Sequence, residues 1–176
     1  IDHHPLSHRD ALPTGDLHRD GCPYIPAPHD PQANFLWHNK GDGTFEETGL
    51  YSGAALSENA QGQSGMGVDL GDFNGDGWLD IQVSNYSEEP NAYYENLGDG
   101  TFADKSAPSS IALATFMHLV WGTKALDYDH DADLDFVIVG GHVHPLASDL
   151  APGLTFQQRI LVFEGDGKGH FKEVGG

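Results

Sequence analysis

The chain is short of cysteine, of cations and of long apolar stretches, and each shortage removes a class of protein. One cysteine, Cys22, in 176 residues excludes an internal disulfide framework and a thiolate cluster. Eight Lys and Arg against 27 Asp and Glu give a formal charge of -19, which excludes a phosphate-binding surface and, with it, nucleic acid as a partner. No apolar run reaches the length of about 18 residues that a membrane span needs. The opening IDHHPLSHRD lacks the charged head and apolar stretch of a signal peptide. Self-repulsion of this size costs stability unless cations offset it, so the acid excess itself points toward bound metal.

What is present is glycine and proline, 23 and 10 of them, separating many short apolar runs. That pattern favours an all-β chain with tight turns. Residues 1–32 hold Pro5, Pro13, Pro23, Pro26, Pro28 and Pro31 with His3, His4, His8, His18 and His29. They show neither helical nor strand periodicity and are expected to form an irregular arm.

From Asn34 the sequence repeats, and the repeat decides the fold. NFLWHNKGDGTFEET from Asn34 recurs as NAYYENLGDGTFADK from Asn91, 91 − 34 = 57 residues later, and in degenerate form as ILVFEGDGKGHFKEV from Ile160. Between these copies lies a second unit. GMGVDLGDFNGDGWLDIQVSN from Gly65 returns as LVWGTKALDYDHDADLDFVIVGG from Leu119, with the acidic loops 127 − 72 = 55 residues apart. The first unit reads as a hairpin around a Gly-Asp-Gly turn, the second as two β-rich runs around an acidic loop. Two hairpins make a four-stranded antiparallel blade of a β-propeller. Residues 33–176 are therefore expected to form about two and a half blades, a half blade at 34–48 and whole blades at 65–105 and 117–175. A propeller closes with roughly four to eight blades. The open strand edges are thus expected to be covered by other subunits or by copies of the same chain, unless the blades belong to a longer propeller.

The acidic loops carry the chemistry. Asp72, Asn74, Asp76 and Asp80 occupy positions 1, 3, 5 and 9, with Gly77 at position 6 and the carbonyl of Trp78 available at position 7. Asp127, Asp129, Asp131 and Asp135 fall at the same positions, with Asp133 at position 7 and Ala132 where glycine is expected. Many hard, flexible oxygens on one turn suit calcium better than magnesium, which demands octahedral geometry and keeps its waters. Two calcium sites are expected, the second weakened because an L-residue at positive φ is strained by about 1 kcal/mol. An EF-hand is excluded. Position 12 is Val83 or Ile138 rather than a bidentate glutamate, and the residues around and after it are strand-like. Leu79 and Leu134 at position 8 are expected to anchor the loops to the core.

These segments, together with EPNAYYENLGDGTF, VWGTKALDYDHDADLDFVIVGGHVHP and QQRILVFEGDGKGHF, resemble the FG-GAP/VCBS-type β-propeller repeats, in particular the ASPIC/UnbV or cartilage-acidic-protein-like branch. The resemblance covers residues 34–174. It implies a secreted, cell-surface or periplasmic propeller, stabilised by calcium and acting in adhesion, recognition or assembly. Its metal ligands carry over to Asp72, Asn74, Asp76, Asp80, Asp127, Asp129, Asp131 and Asp135. Ala132, His130 and His144 depart from the usual pattern, and the further blades common in the family are missing from this sequence.

Other constellations carry less. His142 and His144, two apart, would share one face of a strand and chelate a transition metal with a carboxylate; a histidine pair bonded to backbone is the plainer reading. The arm histidines read as a solvated tail in preference to a site for a borderline metal. Trp37, Trp78, Tyr93, Tyr94 and Trp121 read as packing residues, with carbohydrate a ligand for any that is exposed. Asn85-Tyr86-Ser87 is a formal glycosylation sequon. The glycines at 65, 67 and 71 do not make a nucleotide fingerprint, and no catalytic triad is locally visible. The sequence thus reads as a non-catalytic, calcium-binding extracellular interaction module. Its alternative is a propeller enzyme, a polysaccharide lyase or dehydratase, using a histidine-bound transition metal.

Overall fold

The computed structural model describes residues 12–175, and its strands form three antiparallel sheets in which every strand pairs with its neighbour in sequence. The first sheet contains β1 (Tyr24–Ala27), β2 (Phe35–Asn39) and β3 (Phe45–Glu47). The second contains β4 (Gly65–Gly71), β5 (Asp80–Asn85), β6 (Ala92–Asn96) and β7 (Phe102–Asp104), and the third β8 (Val120–Leu126), β9 (Asp135–Gly140), β10 (Leu161–Gly165) and β11 (Phe171–Gly175). The latter two are four-stranded meanders, the shape of propeller blades, and the described residues form no closed barrel. Two one-turn helices, α1 (Gly49–Ser52) and α2 (Ile111–Thr115), lie in the connections between sheets.

The hairpins fall where the repeats put them. Gly-Asp-Gly turns join β2 to β3 and β6 to β7, and acidic loops join β4 to β5 and β8 to β9. The turn glycines need their freedom: Gly98 and Gly100 sit at φ 75° and 92°, where a Cβ is strained. The half blade departs from the sequence expectation in one respect. Tyr24–Ala27, expected within an irregular arm, is a strand paired with β2 in the register Tyr24↔His38 to Ala27↔Phe35. Pro26 is tolerated there because, beyond the bridge of Tyr24 to Gly15, β1 pairs with β2 alone, so no second neighbour requires the missing N–H. The arm residues 1–11, with His3, His4 and His8, lie outside the described residues.

The sheets pack face to face over two cores, and strand alternation assigns residues to them. Ile81, Val83, Ala92 and Tyr94 of the second sheet meet Tyr24 and Leu36 of the first. Tyr93, pointing to the opposite face, joins Phe136, Ile138, Leu161, Phe163 and Phe171 of the third. The loops interlock the sheets further. Leu17 is buried in the first core and Phe73 in the second, each residing in a loop of one sheet and filling the core against the next. At the inner edges β4 and β8 are tied by Asp69, which accepts from Lys124 Nζ at 2.9 and 3.2 Å and from Ala125 N at 2.7 Å. Asn85 of the sequon is fully buried and donates to Pro90 O at 2.6 Å, so the folded chain has no room for a glycan there.

Candidate metal centre

The two acidic loops share one hydrogen-bonded frame. Asp72 accepts from Asp76 N at 3.1 Å and Gly77 N at 2.8 Å. Asp127 accepts from Asp131 N and Ala132 N, both at 3.2 Å. The position-5 acid then receives the position-7 amide, Trp78 N on Asp76 at 2.8 Å and Asp133 N on Asp131 at 2.9 Å. Both turns require positive φ at positions 4 and 6, met by Gly75 and Gly77 (73° and 90°) in the first loop and by His130 and Ala132 (67° and 77°) in the second. The strain at Ala132 was legible in the sequence; that at His130 was not.

Position 9 is where the loop meets the blade. Asp80, fully buried, accepts from Phe73 N at 3.1 Å, Asn96 N at 2.8 Å and the Tyr93 hydroxyl at 3.1 Å. Asp135, also fully buried, accepts from Tyr128 N and Gly165 N, both at 2.9 Å. Each carboxylate therefore joins its own loop to the following strand, β6 or β10. Leu79 and Leu134 at position 8 pack against the two cores as expected. Burial pushes the Asp80 carboxyl up to about 7, against the pull of its amide and hydroxyl donors. A cation in the loop would relieve that penalty on the ionised form.

The carboxylates are gathered more closely in the second loop. Asp127, Asp129 and Asp135 each offer an oxygen within 4.8 Å of the others. Local desolvation and then the charges of Asp131, Asp135 and Glu164 raise the Asp129 carboxyl above its usual range, a crowding of like charge that a divalent cation offsets. Asp131 is exposed, and Asp133, at position 7, is half-buried with its carboxylate beside Gly167. In the first loop Asp72, Asp76 and Asp80 do not form such a group, and the Asn74 amide instead donates to Asp76 Oδ2 at 2.9 Å. Trp78 lies under the Arg19 guanidinium, 4.3 Å from its ring centre, while Arg19 donates to Gly77 O.

A third loop of the same frame occupies the segment expected to be irregular. Asp16 accepts from Asp20 N at 3.1 Å and Gly21 N at 2.9 Å, and Asp20 from Cys22 N at 2.8 Å. Arg19 and Gly21 take the two positive φ values, 53° and 81°. Aligning Asp16 with Asp72, 72 − 16 = 56 residues apart, matches Gly15-Asp16 with Gly71-Asp72 and Asp20-Gly21 with Asp76-Gly77. That signal was available in the sequence but masked by Pro23 and Pro26 and by Tyr24, which stands where the other loops have aspartate.

A profile of the FG-GAP-like repeat matches residues 16–83 and 72–138. Each match begins on the first aspartate of a loop. The chain belongs to the FG-GAP-like repeat family. Cartilage acidic protein 1 of Mus musculus is 29% identical to it over 160 residues, an alignment spanning 76% of this chain and 24% of that protein. The Homo sapiens protein is 28% identical over 160 residues, spanning 76% and 23%. That of Xenopus tropicalis is 31% identical over 103 residues, spanning 58% and 15%. The chain thus spans less than a quarter of the length of these relatives.

The histidine pair fares differently. His142 is buried, its Nδ1 accepts from His144 N at 3.0 Å, and its ring meets Tyr86 edge-on. Both residues come after β9 rather than lying on it. Among the described residues no Asp, Glu or Cys joins them in a three-ligand group. Tyr93 and Tyr94 are packing residues, as expected, whereas Trp37 and Trp121 are exposed, Trp121 with Nε1 donating to Gly141 O at 2.8 Å.

The strain at Ala132 can be measured. Ala132→Gly is expected to stabilise the metal-free chain by about 0.5–1 kcal/mol, the relief of a left-handed alanine less the extra freedom of glycine when unfolded. Urea denaturation in chelator measures it, and a loss of stability would show that the loop is not strained there.

Proposed function

We propose that the chain is a non-catalytic, calcium-binding interaction module of an extracellular protein, in which calcium ties the acidic loops of successive blades to their strands. The observation that carries this reading is the convergence of Asp127, Asp129 and Asp135 on a frame that recurs at Asp72. Asn74, Asp76, Trp78 and Asp80 complete the ligand set of the first site, Asp131 and Asp133 that of the second. A position outside cells, at the surface or in the periplasm, fits the affinity such loops reach. Without a bidentate glutamate they suit calcium near 10⁻⁴–10⁻³ M, roughly the extracellular range. The relatives' name, cartilage acidic protein, accords with that location and with the charge of -19.

The partner surface is set by the interlocking of the sheets. Leu17 and Phe73, at position 2 of their loops, fill the core of the next sheet. Tyr128 holds position 2 of the last loop and is exposed, beside Leu126 on the same segment. The occupant that fits this face is a further blade of the same kind, in a longer propeller or a second copy. Trp37 and Trp121 are the exposed aromatics of the candidate set for carbohydrate contact. A propeller enzyme at His142 and His144 draws no support from the geometry of that pair.

Calorimetric titration with calcium tests the reading. Two sites are expected in the wild type and one after Asp127→Ala with Asp129→Ala. Absence of binding up to about 10 mM calcium, ten times the weak end of the range for extracellular modules, would overturn it.

A further inference from the structure

We propose that the N-terminal loop is a second kind of metal site, binding zinc or a like borderline divalent cation through Asp20, Cys22 and His38. These three offer a carboxylate oxygen, a thiol sulfur and an imidazole nitrogen, all within 4.8 Å of one another. The loop keeps the frame of the calcium loops but has exchanged their chemistry. His18 stands at position 3 and Tyr24 at position 9, where the second loop has Asp129 and Asp135. Tyr24 is buried in the core, so the carboxylate that closes a calcium loop is gone. Cys22, at position 7, lies on the same turn as Asp20, and His38 reaches them from β2.

Imidazole, thiolate and carboxylate form a borderline donor set, which favours zinc over calcium. Three protein ligands leave a fourth tetrahedral position for water. His38 Nε2 and Asp20 Oδ2 are 3.1 Å apart, close to the roughly 3.4 Å between neighbouring donors in a tetrahedral zinc site. The ligands are also held. Asp20 Oδ1 takes Cys22 N at 2.8 Å, fixing loop position 5 against position 7. The His38 ring stacks on Tyr24, 4.2 Å between centres and 5° from parallel, and the Tyr24 hydroxyl bonds to His18 Nδ1. Such outer contacts orient a metal-binding imidazole. Cys22 and His38 are half-buried and Asp20 exposed, so an ion has a path in. The site stands independently of the calcium reading.

Because Cys22 is the sole cysteine, its thiol reports on the site without interference. The whole chain, reduced and held in calcium, is titrated with Co²⁺ and then with Zn²⁺. One equivalent of cobalt is expected to give a thiolate-to-metal charge-transfer band and tetrahedral ligand-field bands, all displaced by zinc. One equivalent of zinc is expected to slow reaction of Cys22 with an aromatic disulfide reagent by about tenfold or more, since the bound thiolate is shielded. His38→Gln should weaken cobalt binding by about tenfold or more, while Asp149→Asn, an exposed carboxylate in the connection between β9 and β10, leaves it unchanged. Cobalt binding without a thiolate band, or a Cys22 reaction rate indifferent to zinc in the wild type, overturns the proposal.

Discussion

Replacing Asp80 by alanine is expected to cost about 3–5 kcal/mol, a large share of the stability of a domain this size. The side chain is fully buried and accepts from two backbone amides and a tyrosine hydroxyl. Alanine orphans all three donors, each at about 1–3 kcal/mol, with water recovering part. It also cuts the tie between loop and β6, so the damage reaches Tyr93, whose ring sits in the second core. Asp80→Asn separates charge from volume. It keeps the shape but turns an NH₂ toward an N–H or O–H donor, and is expected to lose at least half as much. Urea denaturation in chelator measures both, since without metal the difference belongs to the hydrogen bonds. A cost below about 1 kcal/mol for the alanine variant, the net worth of a single hydrogen bond, would show that the carboxylate is not the joint.

The hairpins were legible because local chemistry alone specifies them. Gly-Asp-Gly turns need positive φ, and the runs beside them alternate in the manner of strands. Leu79 and Leu134 were legible as anchors for the same reason: an apolar residue in an acidic turn has nowhere to go but the core. The double duty of Asp80 and Asp135 was not. Sequence marks them as ligands, but one amide donor of each comes from a strand about 16 or 30 residues away, a tertiary fact with no local sign. The loop at Asp16 was obscured for the opposite reason. Its prolines argue against a strand, and only β1's position beside a single sheet neighbour makes Pro26 acceptable. Leu17 and Phe73 as plugs into the following core are likewise visible only once the sheets are packed. The gathering of Asp127, Asp129 and Asp135 had no sign in Gly77 or Ala132, because backbone ease and side-chain convergence are separate properties of a loop.

Removing calcium is expected to produce the largest change of all, since it acts on both acidic loops at once. An ion bound only by the folded chain contributes about 2.7 kcal/mol at one hundred times its dissociation constant. For a chain of this length that corresponds to about 5–10 °C in Tm per site. The two sites lie in different sheets, but Phe73 of the first loop fills the core that Leu134 of the second packs against, so their contributions add only approximately. Repulsion within the Asp129 group and the buried charge of Asp80 both favour the ion, and chelation returns both penalties to the folded state.

The most direct measurement is a pair of thermal scans of the wild-type chain, one in 10 mM calcium and one in excess EDTA, repeated on the Asp127→Ala, Asp129→Ala double variant. Calcium bound at two sites, each at about 10 to 100 times its dissociation constant, predicts a fall of about 6–20 °C in EDTA for the wild type and about half that for the double variant. Equal Tm values for the wild type in calcium and in EDTA would contradict it.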